Sequence, residues 1–229
     1  MLSYAAERGG TPDDPRQRNP LDFVLWMPSA DDEPSWDSPF GPGRPGWHIE
    51  CSAMAWSYFG QTLDLHGGGN DLIFPHHECE RVQAEHGYGE QFARHWMHAG
   101  MVAYQGTKMS KSLGNLVFVS ELVKTHDPAA IRLALMRHHY RDDWEWFDGD
   151  IDDGQALLIL LREAAKAPTG PEPAGTLAAV RAALDNDLDA PAVIEALESL
   201  ARRIVDGVGN DPQAGQGLAE AAALIGVEL

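Results

Sequence analysis

Thr62-Leu63-Asp64-Leu65-His66 alternates polar and apolar residues and runs straight into Gly67-Gly68-Gly69. Alternation with a period of two marks a β-strand. Glycine lets backbone N–H groups come close to a bound phosphate, and Pro75 suits the first turn of a helix expected to reach about Glu85. Three glycines carry little weight alone; their place between a strand and a helix is what counts. Strand, glycine loop and helix together form a nucleotide-handling layout and direct this region to an α/β fold.

Around it, residues 1–46 are proline-rich and read as ordered loops and turns, apart from the apolar run Leu21 to Trp26. The pattern predicts a short helix over 49–58 and a second strand over 95–104 that ends at Gly106. Asp127-Pro128 places a capping side chain ahead of a proline at the first helical position, so 128–139 is expected to be helical. A helix over 155–166 is followed by a proline- and glycine-rich linker over 167–175. Helices are expected over 176–188, 192–207 and 218–225, with Val193, Leu197, Leu200, Ile204 and Val208 at helical spacing.

Composition excludes several classes. Hydrophobic residues make up 44% and charged residues 23%, as in ordinary globular chains. No apolar run approaches the roughly 20 residues of a membrane span, so no membrane partner is expected. Met1 to Gly10 has no signal-peptide pattern, and Cys51 and Cys79 are too few for a disulfide framework, which makes the cytoplasm the expected compartment. Net charge is −18, and residues 141–229 alone hold 18 Asp and Glu against 6 Lys and Arg, a balance of −12. A phosphate backbone is bound by basic patches, so tRNA is not an expected partner of that segment.

Lys108-Met109-Ser110-Lys111-Ser112, followed by Leu113-Gly114-Asn115, sets two lysines three apart among serines, with a glycine beyond. Mobile ammonium groups can follow a departing pyrophosphate and stabilise it electrostatically. This run resembles the "KMSKS" loop of class I aminoacyl-tRNA synthetases. Gly43 to Cys51 (GRPGWHIEC), His66 to Asp71 (HGGGND) and Phe74 to Glu78 (FPHHE) are similar to the cysteine-activating subgroup, and the likeness extends from Glu7 to Leu229. It implies the C-terminal part of a Rossmann-like class I catalytic domain over 1–140, followed by an α-helical bundle over 141–229.

The resemblance also implies site residues. Lys108 and Lys111 match the catalytic lysines, with Lys111 on the ATP phosphates. Trp47, Gly69, Asn70, Asp71 and Val102 match positions around the cysteinyl-adenylate; His66 faces either the bound cysteine or the core. Spacing alone does not select a metal site, because 25 residues separate Cys51 from His76 and there is no C-x-x-C. The resemblance does: Cys51, His76 and Glu80 match zinc ligands, with Cys79 a weaker competitor. Thiolate, imidazole and carboxylate all suit zinc. A thiol substrate can join such a site where serine's hydroxyl is a poor ligand.

The subgroup has two branches, cysteinyl-tRNA synthetases and the ligases of mycothiol biosynthesis that join cysteine to glucosaminyl-inositol. Glu7 to Pro12 (ERGGTP) resembles an "ERGGDP" motif of the second branch, with Thr11 in place of Asp. Ile131 to Leu135 and Tyr140 to Trp146 also lean that way; Glu80 and Ser112 to Asn115 are closer to the tRNA enzymes. The expected activity is ATP-dependent cysteine activation and ligation, with cysteine, ATP and glucosaminyl-inositol as substrates. The alternatives are a cysteinyl-tRNA synthetase fragment and a non-catalytic zinc- or nucleotide-binding fragment. The family's remaining zinc cysteine and its "HIGH"-type histidines match nothing in these 229 residues. A fragment, a truncated gene or a separate chain supplying that half are the expectations left open.

Overall fold

The computed structural model describes residues 2–8, 10–111 and 113–229. Gly9 of the ERGGTP run and Ser112 of the lysine run lie outside the described residues. The chain divides into two compact units, Met1–Ala99 and Gly100–Leu229. That division falls 41 residues ahead of the expected domain boundary at 140 and cuts through the strand expected over 95–104.

In the first unit, α1 (Leu2–Ala6) precedes a small antiparallel ribbon of β1 (Trp26–Met27) and β2 (Arg44–Pro45). Arg44 is held by both carboxylate oxygens of Glu33, each at 2.8 Å. The ribbon leads into α2 (Trp47–Phe59), longer at both ends than the helix expected over 49–58. β3 (Leu63–Gly69) and β4 (Ala93–Ala99) pair in parallel, with His66 opposite Trp96 and Gly69 opposite Ala99. Parallel strands need a crossover, and α3 (Glu78–Tyr88) supplies it. The three glycines are therefore strand rather than the expected loop.

The helix expected from Pro75 begins only at Glu78. A 3₁₀ turn (Asn70–Leu72) and a wide turn (Ile73–His77) come first, with Phe74 extended at φ −140°, ψ 134°. A proline disfavours helical backbone in the residue before it, so Phe74 breaks the run.

In the second unit, β5 (Val102–Tyr104) pairs antiparallel with β6 (Thr107–Lys108) and parallel with β7 (Trp144–Trp146). Just ahead of β5, the Gly100 N–H donates to the Tyr140 carbonyl at 2.7 Å and the Met101 N–H to Asp143 Oδ1 at 2.6 Å. A Cβ at Gly100 would collide with the Asp142 carbonyl, so this approach needs glycine.

The short α4 (Val119–Leu122) precedes the bundle of α5 (Pro128–Met136), α6 (Asp150–Ala165), α7 (Ala174–Asp185), α8 (Ala190–Val205) and α9 (Ala214–Ala223). Asp127 caps α5 by accepting from the Ala129 N–H, and Asp189 caps α8 through Ala192. α6 starts five residues earlier than expected, with Asp150, Asp152 and Asp153 in its first turn complementing the helix dipole. Leu133, Leu158, Leu161, Val193, Leu197 and Leu218 form its dry centre. Trp146 is buried with them as a core side chain; Trp144 is half-buried and stacked on His138, with ring centroids 3.9 Å apart. No helix among the described residues is long and apolar enough to cross a membrane.

Candidate metal centre and nucleotide elements

Glu80 lies on α3 with no exposed surface, and one of its oxygens gathers three histidines from two segments. Glu80 Oε2 is 3.2 Å from His66 Nε2 on β3, 3.5 Å from His76 Nε2 and 3.9 Å from His77 Nε2, both in the turn ahead of α3. Cys51 arrives from the second turn of α2. The ligand atoms of Cys51, His76 and Glu80 all lie within 4.8 Å of one another, so the three side chains assigned by resemblance do converge. The donor set fits zinc chemically, and Glu80 Oε1 is buried with no hydrogen-bond partner among the described residues.

Two further histidines orient the rings. His76 Nδ1 is 2.8 Å from His48 Nδ1, and His77 Nδ1 is 2.7 Å from His98 Nε2, which leaves each Nε2 turned toward the carboxylate. Trp47 stacks on His76 with centroids 4.4 Å apart. A Cβ at Gly68 would meet the His77 ring at 3.0 Å, so the bare strand backbone is what seats that ring. Burial holds His48 and His76 below the ordinary histidine range and pushes His77 down to about 4. Burial raises the Cys51 thiol, aided by Glu80, and raises Cys79 to about 11. The imidazoles are thus kept neutral, the form in which a nitrogen lone pair is available.

Sequence reasoning missed His77 and the supporting His48 and His98, and left His66 undecided. Their only signal was density: five histidines fall within His48–His98 at positions 48, 66, 76, 77 and 98, besides His86 and His95.

Gly69 ends β3, and Asn70 and Asp71 form the 3₁₀ turn after it. Arg8 donates to the carbonyl oxygens of both Asp71 and Phe74, the latter at 2.6 Å, and so pins this turn. Trp47, Gly69, Asn70 and Asp71 all belong to the first unit; Val102, Lys108 and Lys111 belong to the second.

In the second unit Lys108 closes β6, and the Met109 N–H donates to the Val102 carbonyl at 3.0 Å. Lys111 is exposed in the turn beyond. Asn115 organises this segment. Its Oδ1 accepts from the Ser110 N–H at 2.9 Å, while its Nδ2 reaches Thr107 Oγ1 at 3.1 Å and the Lys108 carbonyl at 3.3 Å. Gly114, at φ +67°, makes the bend.

Residues 4–156 match the family described as the tRNA synthetases class I (C) catalytic domain. The ligases named L-cysteine:1D-myo-inositol 2-amino-2-deoxy-alpha-D-glucopyranoside ligase from Rhodococcus erythropolis and Streptosporangium roseum are each 50% identical over the whole of this chain, which covers 56% and 57% of their lengths. The ligase of that name from Gordonia bronchialis is 51% identical over the whole chain and 56% of its own length. The chain therefore spans about half the length of the curated relatives it matches. Among solved structures, a LeuRS of Agrobacterium radiobacter K84 agnB2, in ternary complex with tRNA and LeuAMS, aligns with a TM-score of 0.59 over 85% of this chain and 34% of that one. At 16% identity, this likeness concerns the fold alone.

Proposed function

Because the chain belongs to the family of class I (C) tRNA synthetase catalytic domains, we propose that it takes part in the ATP-dependent activation of cysteine as cysteinyl-adenylate and its ligation to the amine of glucosaminyl-inositol. The observation that carries this reading is identity near 50% along the full chain to ligases of that name. The chain spans about half of those relatives, so the complete activity is assigned to it together with the remaining segment, in the same polypeptide or in a separate one. Residues 1–140 then serve as part of the catalytic domain and 141–229 as its helical bundle. The reading carries a cytoplasmic location, where a Cys51 thiol stays reduced.

Within it, Cys51, His76 and Glu80 would hold zinc. Bound there, zinc supplies a coordination position that suits a thiolate far better than a hydroxyl. Selection of cysteine over serine then rests on a bond the isostere cannot make, which gives discrimination without a separate editing step. Trp47 provides a flat wall beside that set. Gly69 allows close backbone approach, Asn70 and Asp71 offer polar groups to the ribose, and Val102 an apolar contact to the base.

Lys108 and Lys111 supply positive charge to the leaving pyrophosphate. Such charge acts on the transition state more than on bound cysteine, because negative charge builds on the phosphates only as the bond breaks. The amine of the acceptor must give up a proton to attack the adenylate carbonyl. The −12 balance of residues 141–229 favours a cationic amino sugar over a polyanionic tRNA.

The test combines the chain with the remaining segment of a relative and measures cysteine-dependent ATP–pyrophosphate exchange, then transfer to glucosaminyl-inositol and to tRNA side by side. The expected result is exchange plus cysteinyl-glucosaminyl-inositol, with Lys111→Ala slowing exchange at little change in cysteine affinity. Efficient charging of tRNA with no ligated sugar would replace this reading with cysteinyl-tRNA synthetase. No exchange at all would leave the non-catalytic reading.

A further inference from the structure

We propose that His66, His77 and Glu80 form a second divalent-cation site, sharing Glu80 with the Cys51–His76–Glu80 set and independent of sulfur. The ligand atoms of these three residues also lie within 4.8 Å of one another. Their donors come from three separate places, the middle of β3, the turn before α3 and α3 itself, so the grouping is not an accident of one helix face.

Three features make the group a built site. Glu80 is fully buried, and its Oε1 has no hydrogen-bond partner among the described residues. A buried carboxylate oxygen left without a partner costs free energy, and a cation beside it removes that cost. The second feature is the orientation of His77. Its Nδ1 lies 2.7 Å from His98 Nε2, an outer contact that fixes the ring and turns Nε2 inward, as outer partners do for ligating imidazoles. The third is its seating: Gly68 lets the His77 ring lie directly against the strand backbone, where any side chain would crowd it.

His66 completes the set at 3.2 Å from Glu80 Oε2 and is itself fixed by β3 pairing opposite Trp96. His66, His76 and His77 all face the same oxygen, Oε2, so the two sets meet at one buried carboxylate and the histidine set can take a cation without Cys51. Two imidazoles and a carboxylate, with no thiolate, suit borderline cations such as Co²⁺, Ni²⁺, Fe²⁺ and Zn²⁺ and lack the preference for soft metals that Cys51 brings. The site's capacity for metal therefore survives loss or oxidation of the Cys51 thiol.

Co²⁺ titration of the metal-free chain, followed by absorption and by equilibrium dialysis, separates the two sets. Coordination by Cys51 produces a sulfur-to-cobalt charge-transfer band in the near ultraviolet; the histidine set produces only weak visible bands. The Cys51→Ser chain is expected to bind one equivalent of Co²⁺ without the charge-transfer band. Adding His66→Gln or His77→Gln to Cys51→Ser should weaken that binding by at least about tenfold. His66 is only half-buried, so its variant tests the site even if His77→Gln disturbs packing. Failure of Cys51→Ser to bind Co²⁺, or binding that is indifferent to both histidine variants, overturns the proposal. Absence of the charge-transfer band in the unmodified chain would instead count against Cys51 as a ligand, while the variant series still decides the histidine set.

Discussion

Among the described residues, every buried polar side chain (Ser52, His76, His77, Glu80 and Gln83) lies in the Met1–Ala99 unit, while the fully buried leucines, Leu133, Leu158, Leu161, Leu197 and Leu218, all lie in Gly100–Leu229. The apolar cluster of the first unit is small, built on Leu63, Ala84, Phe92 and Ala93. One unit is thus centred on a network of ionisable groups and the other on close-packed hydrocarbon. The difference predicts opposite sensitivities. Apolar packing responds to lost volume and is indifferent to pH and metals; a buried carboxylate among imidazoles responds to protons and cations and gains little from more apolar area.

The largest expected effect is metal-linked and confined to the first unit. Free zinc at a thousandfold excess over its dissociation constant should stabilise that unit by about 4 kcal/mol. Amide hydrogen exchange should therefore speed up in α3 and stay unchanged in α8 when a chelator is added. Equal acceleration in both helices would break the contrast. Next comes Leu197→Ala, which opens a cavity in a fully buried stretch of α8 and should cost about 3 kcal/mol in urea unfolding, with α3 exchange unaffected.

Acid should separate the units as well. Burial holds His77 near 4 in the folded chain against an ordinary value of 6.5, so between those values the unfolded chain binds more protons than the folded one. Stability from this group is then complete above about pH 6.5 and is lost as the pH falls toward 4. In metal-free protein, an acid titration should loosen α3 before α8; simultaneous loss would show that the histidine network is not the weak point.

The smallest effect is at a helix end. Asp127→Ala removes the acceptor for the Ala129 N–H and should cost about 1 kcal/mol. Its exposed pairing with Arg162 at 2.8 Å should contribute little, so Arg162→Ala is expected to be nearly neutral.

What could be read from the chain alone follows from range. α5 was legible because an acidic cap and a proline in the first turn are local signals, and α8 because its apolar residues recur at helical spacing, although its Asp189 cap and two-residue earlier start came only with the structure. The Cys51, His76 and Glu80 set was suggested only by resemblance, since nothing in the 25-residue separation between Cys51 and His76 demands that they meet. β7 was not legible as a strand. Its pairing partner β5 lies 42 residues earlier in register, Val102 opposite Trp144, and three residues carry too little pattern of their own. The split of the strand expected over 95–104 was hidden for the same reason, because Tyr140 and Asp143 capture the backbone N–H groups at Gly100 and Met101.

Local pattern in the chain is enough for the bundle helices, the strand before α3 and the residue types available for metal and phosphate chemistry. Long-range packing alone continues β3 through the three glycines and puts Trp146 in the core. It also decided that His66 and His77 join Glu80. Local pattern reports how a segment can bury its own face; convergence on a buried carboxylate depends on the parallel pairing of β3 with β4 and the crossover between them, which no single segment encodes.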